Sequence, residues 1–218
     1  MKAVCLLSGG PDSAVSAALA KREGYELYCI SFDYGQRARK ELESARSMAK
    51  FLGAKEHRII DMSYMKDIYG RGVTALTDES MEMPESFKPT VVVPFRNGIM
   101  LSIAAGYASA LGARAIFYGA HRDDSRFYPD CRDEFVRAME RAVLKGTDEK
   151  IEIKAPLLKL RKSDVIKLAA ELGIPLEQTW SCYLSEKLHC GACESCMNRK
   201  RAFKEAGLED RTKYSSRS

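Results

Sequence analysis

A glycine-rich turn near the start of the chain carries the residues best suited to chemistry, Ser8-Gly9-Gly10-Pro11-Asp12-Ser13. The apolar run before it predicts a strand that ends at Leu7, and the alanine-rich run after it predicts a helix from Ala14. Asp12 and Ser13 are favourable N-cap types for that helix. Amides at the start of a helix bind anions, and the helix dipole favours negative charge there. The turn therefore predicts a phosphate or pyrophosphate site.

Two better-known phosphate motifs do not occur in the sequence. No segment matches G-x-x-x-x-G-K-[ST], which excludes a loop of the kinase or GTPase type. The turn also lacks the G-x-G-x-x-G spacing of a dinucleotide site. A Gly-Gly pair alone is equally compatible with an ordinary strand–helix turn that binds nothing. The Ser, Asp and Ser around the glycines favour the phosphate site.

Four of the seven cysteines are clustered near the C-terminus in a C-x7-C-x2-C-x2-C pattern. They are Cys182, Cys190, Cys193 and Cys196. In the cytoplasm, where this chain is expected to reside, such a cluster favours a bound metal over disulfides. Four thiolates suit tetrahedral zinc at a closed structural site, and an iron–sulfur cluster is the alternative because it takes the same ligands. His189 is expected outside the ligand set, since four sulfurs already complete it.

Strands and helices alternate along the rest of the chain. Further strands are predicted at Tyr25–Phe32, His57–Ile60, Ala115–Gly119 and Ile151–Lys154, and helices over 37–52, 97–112, 132–144 and from Ser163, as its cap, to Leu172. This order predicts an α/β fold with a doubly wound, mostly parallel five-stranded sheet. We expect an ATP-binding domain over 1–175 and a small metal-binding segment over 176–218 packed on it. Residues 61–90 are too long for a simple connection and predict a short helix, with the remainder a lid or a dimer contact.

Composition and charge limit the function classes. The net charge is +5, and residues 197–218 hold seven basic and three acidic residues. This basic tail is expected to be a solvated terminal helix, with contact to RNA or to a phosphate-bearing ligand as the alternative. No apolar run is expected to approach the roughly 20 residues of a membrane span. The first residues run directly into the turn and leave no room for a signal peptide, so we expect a cytoplasmic protein.

Seven motifs occur together and in order: Ser8–Ser13, FDYGQR at 32–37, VPFRN at 93–97, YPDCRDEF at 128–135, PLL with KSD over 156–164, TWSCY at 179–183 and the four cysteines. From Val4 to about Phe203 this set closely resembles the 7-cyano-7-deazaguanine synthase family of PP-loop ATP pyrophosphatases. Two positions depart from the family pattern. Ala38 stands where many members have histidine, and Trp180 stands where a smaller residue is usual.

The resemblance implies an enzyme that converts 7-carboxy-7-deazaguanine, ammonia and ATP into 7-cyano-7-deazaguanine through adenylated intermediates. It implies Mg²⁺ with the ATP and one structural Zn²⁺ per chain. ATP would bind along Leu7, Ser8, Gly9, Gly10, Pro11, Asp12, Ser13, Ala14, Val15, Ser16 and Ala17. The residues expected to act on the phosphates are Asp12, Ser13, Arg96 and Lys162. Those expected to hold the deazaguanine are Tyr34, Gln36, Arg96, Asn97, Phe127, Asp130 and Asp133.

Two other function classes compete with this interpretation. A PP-loop tRNA thiolase would account for the cysteines and the basic tail, but such enzymes usually carry an added RNA-binding domain, for which this chain has no room. A zinc module that binds nucleic acid through 182–218 would leave the preceding 180 residues unexplained. We therefore expect small-molecule substrates, no direct nucleic-acid or membrane partner, and a homodimer.

Overall fold

Five parallel strands form the central sheet of the computed structural model, which describes residues 1–185 and 187–215. They are β1 (Lys2–Leu6), β2 (Glu26–Asp33), β3 (Glu56–Asp61), β4 (Ala115–Phe117) and β5 (Glu152–Lys154). Their spatial order is β3-β2-β1-β4-β5, and every neighbouring pair is parallel. The predicted doubly wound parallel sheet is therefore confirmed.

Helices cover both faces of the sheet. They are α1 (Pro11–Arg22), α2 (Lys40–Leu52), α3 (Met65–Tyr69), α4 (Arg96–Leu111), α5 (Asp133–Thr147), α6 (Lys162–Glu171) and α7 (Glu194–Ala206). Cys5 on β1 packs in the core shared with α1, α2 and α6, whereas Val4 packs in the core shared with α4 and α5. Strands buried on both faces carry continuous apolar runs, which is the pattern β1 shows in the sequence.

The helix starts differ from their predicted caps. Helix α1 begins at Pro11 with Gly10 as its N-cap, because proline is tolerated at the first helical position and fixes a helical φ there. Asp12 and Ser13 therefore lie inside the first turn. Helix α6 has Arg161 rather than Ser163 as its N-cap, and the Asp164 carboxylate accepts the Arg161 N–H at 3.0 Å. The observed caps lie two or three residues before the predicted ones.

The stretch Pro89–Leu111 is long and apolar enough to cross a membrane, which the sequence-based expectation overlooked. Its larger part is α4, which lies against β1, β4 and α5. Leu101, Ala104 and Ala108 of this helix are fully buried in the core. Its apolar composition is that of a helix packed against a buried sheet.

The C-terminal segment is fastened to the domain rather than solvated. Helix α7 packs on α6, and Arg199 of α7 is 1% exposed although it belongs to the basic tail. The backbone N–H of Trp180 donates to the Gly9 carbonyl at 2.8 Å, which joins this segment to the glycine-rich turn. The interpretation of residues 197–218 as a solvated helix is thus wrong for Arg199. Another basic residue of that tail, Arg217, lies outside the described residues.

Candidate active site

A cavity of about 590 Å³ opens at the carboxyl ends of β1, β2 and β4. Leu6, Phe32 and Tyr118 from these strand ends lie in its wall. Strand β1 has β2 on one side and β4 on the other, so the chain crosses the sheet in opposite directions from this point. Ligands of open α/β sheets bind at such a switch point, and the volume is typical of a small-molecule site.

The glycine-rich turn forms one end of the cavity. The Ser13 hydroxyl accepts the Ser8 N–H at 3.1 Å and donates to the Gly10 carbonyl at 3.0 Å, which closes the turn on itself. Gly9 has φ +83°, and a Cβ there would lie 2.3 Å from the Glu41 carbonyl oxygen and 2.8 Å from the Ala45 nitrogen. Only glycine fits where the turn meets α2.

The predicted ATP-binding segment, residues 7–17, has a part that lines the cavity and a part that is buried behind it. Its first part lines the cavity, through Leu7, Ser8, Gly10, Pro11, Asp12 and Ser13. Gly9 lies against α2, and the residues from Ala14 to Ala17 are buried. The Ser16 hydroxyl donates to the Tyr118 carbonyl at 3.1 Å, which fixes α1 against the end of β4. These residues position the turn instead of facing the cavity.

A charged cluster surrounds Asp12. The Lys162 ammonium forms an ion pair with Asp12 Oδ2. His121 Nε2 lies 3.9 Å from Asp12 Oδ1 and 3.3 Å from Asp124 Oδ2. The Asp123 N–H donates to His121 Nδ1 at 3.2 Å, which leaves the proton of a neutral imidazole on Nε2, facing the two carboxylates. Lys162, distant in sequence, thus lies beside the turn.

The two carboxyls of this cluster differ in pKa. Burial raises the pKa of Asp12, but Lys162 and His121 outweigh it, so the pKa lies below its ordinary value. Burial raises the pKa of Asp124, and there it prevails over the attraction of His121. Asp12 Oδ1 is buried and has no hydrogen-bond partner among the described residues. An ionised carboxylate with such an oxygen, beside a second carboxyl, suits a hard divalent cation.

The wall beside the turn is formed by residues of the motifs at 32–37, 93–97 and 128–135. Arg96 Nη1 donates to the Tyr34 hydroxyl at 3.0 Å. The Asn97 N–H donates to Asp130 Oδ2 at 2.9 Å, and its amide contacts Cys131 Sγ at 3.3 Å. Burial raises the pKa of Tyr34 to about 12, so its hydroxyl stays protonated. The structure therefore brings together four of the predicted substrate residues at this wall.

Phe87 from the 61–90 segment, together with Phe127 and Tyr128, covers the far end of the cavity. Phe87 stacks on Phe127 with ring centroids 4.0 Å apart, and its edge meets the Tyr128 ring at 5.9 Å. The Pro84 carbonyl accepts the Glu194 N–H at 2.9 Å, which ties the same loop to the start of α7. The end of this segment thus lies over the cavity, in the position of a lid.

Two predicted substrate residues do not line this cavity. Gln36 is buried behind the wall, where its amide accepts the Tyr34 N–H at 2.9 Å and donates to Glu41 Oε1 at 2.7 Å. Asp133 is exposed at the start of α5 and pairs with Arg137 at 2.8 Å. Gln36 therefore shapes the turn after β2, and Asp133 faces away from the cavity.

Sequence reasoning missed several ionisable residues of the cavity, among them Glu41, His121, Asp123, Asp124 and Glu194. A signal for three of them existed, because 121–124 directly follows a strand end next to β1, where ligands bind. Gly119 in that stretch lies so close to Asp12 that a Cβ would come within 2.8 Å of its carbonyl carbon. Glu194 carries no comparable signal in the sequence, because it directly follows Cys193, one of the four clustered cysteines.

The four clustered cysteines form a buried site. Their sulfurs all lie within 4.8 Å of one another, and those of Cys190 and Cys196 are 3.9 Å apart. Thiolates bound tetrahedrally about 2.3 Å from zinc would be separated by roughly 3.8 Å. The Cys190 N–H donates to Cys182 Sγ at 3.3 Å, which favours a thiolate. His189 accepts the Ser181 N–H through Nε2 at 3.1 Å and is not among the four donors.

Comparison with known proteins places these features in one family. The family model described as queuosine biosynthesis protein QueC matches residues 2–207. A 7-cyano-7-deazaguanine synthase of Sulfurovum sp. is 49% identical over 98% of both chains. The enzyme of the same description from Nitratiruptor sp. is 46% identical over 99% of this chain and 100% of its own length.

Solved structures share the fold at low identity. A 4-thiouridine synthetase in complex with RNA and ATP has a TM-score of 0.56 at 18% identity, covering 94% of this chain and 50% of that one. An NH3-dependent NAD synthetase from Campylobacter jejuni has a TM-score of 0.53 at 19% identity, covering 80% of this chain and 65% of that one. These two likenesses support the fold.

Proposed function

The chain belongs to the queuosine biosynthesis protein QueC family, and we propose that its cavity converts 7-carboxy-7-deazaguanine, ammonia and ATP into 7-cyano-7-deazaguanine. Converting a carboxylate to a nitrile removes two oxygens, and each needs activation before it can leave. ATP supplies that activation twice, by transfer of AMP.

The steps follow from this requirement. A carboxylate oxygen attacks the α-phosphorus of ATP, pyrophosphate leaves, and ammonia then displaces AMP to give the primary amide. The amide oxygen attacks the α-phosphorus of a second ATP and pyrophosphate leaves, and loss of AMP and of both nitrogen protons then gives the nitrile. Both carboxylate oxygens therefore end in AMP.

The cavity residues have separate roles in this scheme. The turn of Ser8–Ser13 binds the departing pyrophosphate through its amides and the α1 dipole. Lys162 neutralises phosphate charge at one side of the turn, and Arg96 does so from the wall. Tyr34, Asn97 and the aromatic rings at 127–128 position the flat deazaguanine, with the lid excluding water that would hydrolyse the adenylate.

Two metals fit the residues. Asp12 and Asp124 would hold Mg²⁺, which neutralises polyphosphate charge when bound. The four cysteines would hold one Zn²⁺, which would fasten residues 176–218 onto the ATP-binding domain of 1–175. We further propose a cytoplasmic homodimer that binds small molecules and does not bind nucleic acid directly.

One observation carries the proposal. The phosphate turn and an aromatic wall with hydrogen-bonding groups open onto the same cavity, so a planar acid can meet the α-phosphorus there.

Incubation with the carboxylic acid, ammonia and ATP, followed by mass spectrometry, tests the proposal. We expect the nitrile with two AMP and two pyrophosphates for each nitrile. If the carboxylate is labelled with ¹⁸O, the label should appear in AMP, and the adenylate should accumulate when ammonia is withheld. ADP and phosphate as products would overturn the mechanism even if the nitrile formed.

A further inference from the structure

A buried carboxyl in the cavity wall has no part in the scheme above. Glu194, the first residue of α7, is 7% exposed and lines the cavity. Its side chain accepts a hydrogen bond from the Asn198 amide through Oε1. Within the described part of the chain, no hydrogen bond occupies Oε2. The Glu194 backbone is held too, by its bond to the Pro84 carbonyl at 2.9 Å.

This carboxyl lies beside the aromatic end of the cavity. The Pro84 carbonyl that accepts the Glu194 N–H lies three residues before Phe87, and both Phe87 and Tyr128 line the cavity with Glu194. Tyr128 meets Phe87 edge to face, and Phe87 stacks on Phe127. A flat ring placed against these side chains would turn an edge toward Glu194.

The other carboxyls near the cavity are engaged or face elsewhere. Asp12 is paired with Lys162, and Asp130 accepts the Asn97 N–H. Asp133 is paired with Arg137 on the outer face of α5. Asp124 faces His121 at the phosphate end. Glu41 accepts a hydrogen bond from the Gln36 amide, and Asp123 accepts the Lys162 N–H. Glu85 lines the cavity too but is exposed. Among the described carboxyls of the cavity, Glu194 is therefore the buried one beside the 84–87 loop with an oxygen left for a ligand.

A guanine-type ring has two adjacent donors on one edge, the ring N–H and the 2-amino group. One carboxylate can accept both hydrogens in a fork, and hydrogen bonds to a charged group are stronger than neutral ones. A buried carboxylate that meets no donor is costly, so it rejects rings that lack this edge.

We propose that Glu194 determines substrate specificity by accepting the ring N–H and the 2-amino hydrogens of the deazaguanine, an inference that rests on the proposed function. The residue binds and orients the ring so that its carboxylate points to the phosphate end. It takes no proton in the reaction.

The Glu194→Gln variant tests this role, with Glu205→Gln on the exposed side of the same helix as its matched control. We expect KM for the carboxy-deazaguanine to rise at least tenfold in Glu194→Gln, because glutamine offers a donor where the ring has donors. KM for ATP should change by less than about twofold. Glu205→Gln should match the wild type, and both variants should keep the wild-type metal content.

A substrate analogue without the 2-amino group provides a second measurement that needs no variant. The wild type should bind it at least tenfold more weakly than the natural acid, and Glu194→Gln should discriminate far less. Equal binding of the two acids by the wild type, or an effect of the variant confined to ATP, would overturn the role of Glu194. If the wild type turned over neither acid, the proposed function would itself be wrong.

Discussion

The two ends of the cavity are built in different ways. The phosphate end comes mainly from one continuous stretch, β1, the turn and α1, over residues 2–22. The aromatic end combines residues 84–87, 127–131 and the start of α7 at Glu194, which are far apart in sequence. Local backbone geometry determines the first end, whereas the second exists only when three segments meet. The geometry of the phosphate end therefore depends on a few turn residues. The geometry of the aromatic end depends on the contacts that hold the C-terminal segment against the rest of the chain.

Arg199 and the cysteine site hold that segment. The Arg199 guanidinium donates to the Thr179 hydroxyl at 2.9 Å, to the Ser181 hydroxyl at 3.1 Å and to the Leu176 carbonyl at 2.7 Å. Between the two hydroxyls lies Trp180, whose N–H donates to Gly9. The C-terminal segment thus also contacts the phosphate turn. If this segment loses its packing, both the phosphate end and the aromatic end of the cavity should be disturbed.

The largest effect is expected from Cys193→Ser. Losing one of four ligands should release the metal and lower the unfolding temperature by about 10 °C or more, since metal binding contributes to folding free energy. Metal analysis and differential scanning calorimetry measure both. Cys131→Ser, outside the four-sulfur site, should keep the metal. Stoichiometric iron in the wild type, or a metal-free protein of normal stability, would contradict a structural zinc site.

Asp12→Ala or Ser13→Ala should reduce ATP turnover by about a thousandfold while the fold and the metal content stay intact. The reason is that the turn is a ligand site at the cavity surface, whereas the helix behind it is fixed by buried alanines. Pyrophosphate release measures turnover, and Glu171→Ala on α6 serves as an exposed control. Unchanged turnover in either variant would refute the assignment of the turn.

Arg199→Met should destabilise the protein by about 3 kcal/mol, because four acceptors lose their donor, namely the hydroxyls of Thr179, Ser181 and Thr212 and the Leu176 carbonyl. Arg199→Lys should recover part of this, since an ammonium cannot reach all four acceptors. Urea unfolding gives the free energies, and Lys204→Met on the exposed side of α7 is the control. If both Arg199 variants were as stable as the wild type, packing around the metal site would be enough to hold the C-terminal segment.

The smallest effect is expected at Glu41, which lines the cavity and accepts a hydrogen bond from the Gln36 amide. Burial raises the pKa of Glu41 to about 7, above that of the unfolded chain. The folded state then holds a proton that the unfolded state has lost, so stability falls as the pH rises from about 4.5 through 7, by about 1 to 3 kcal/mol. Glu41→Gln should remove this slope and be more stable than the wild type at pH 8. Thermal unfolding at pH 5 and pH 8 measures it, and identical slopes would contradict the prediction.

Much of the phosphate end was predictable from the sequence. Residues 8–13 are contiguous, so their types and spacing determine the turn before any tertiary contact forms. The same holds for the four cysteines, which lie within fifteen residues and share one chemical preference. The alternation of apolar runs with amphipathic stretches likewise determined the parallel sheet, because each strand must be covered on both faces.

The aromatic end was decided by tertiary structure alone. Asp133 and Glu194 are both acids at the start of a helix, yet one pairs with Arg137 at the surface and the other is buried in the cavity. Local sequence cannot separate them, because their difference lies in which distant segment each helix start meets. The segment 84–87 meets α7 through the bond from the Glu194 N–H to the Pro84 carbonyl, and Arg199 is buried because residues 176–181 fold back over it. Side-chain types set what chemistry is available, and long-range packing sets which of those side chains share a cavity.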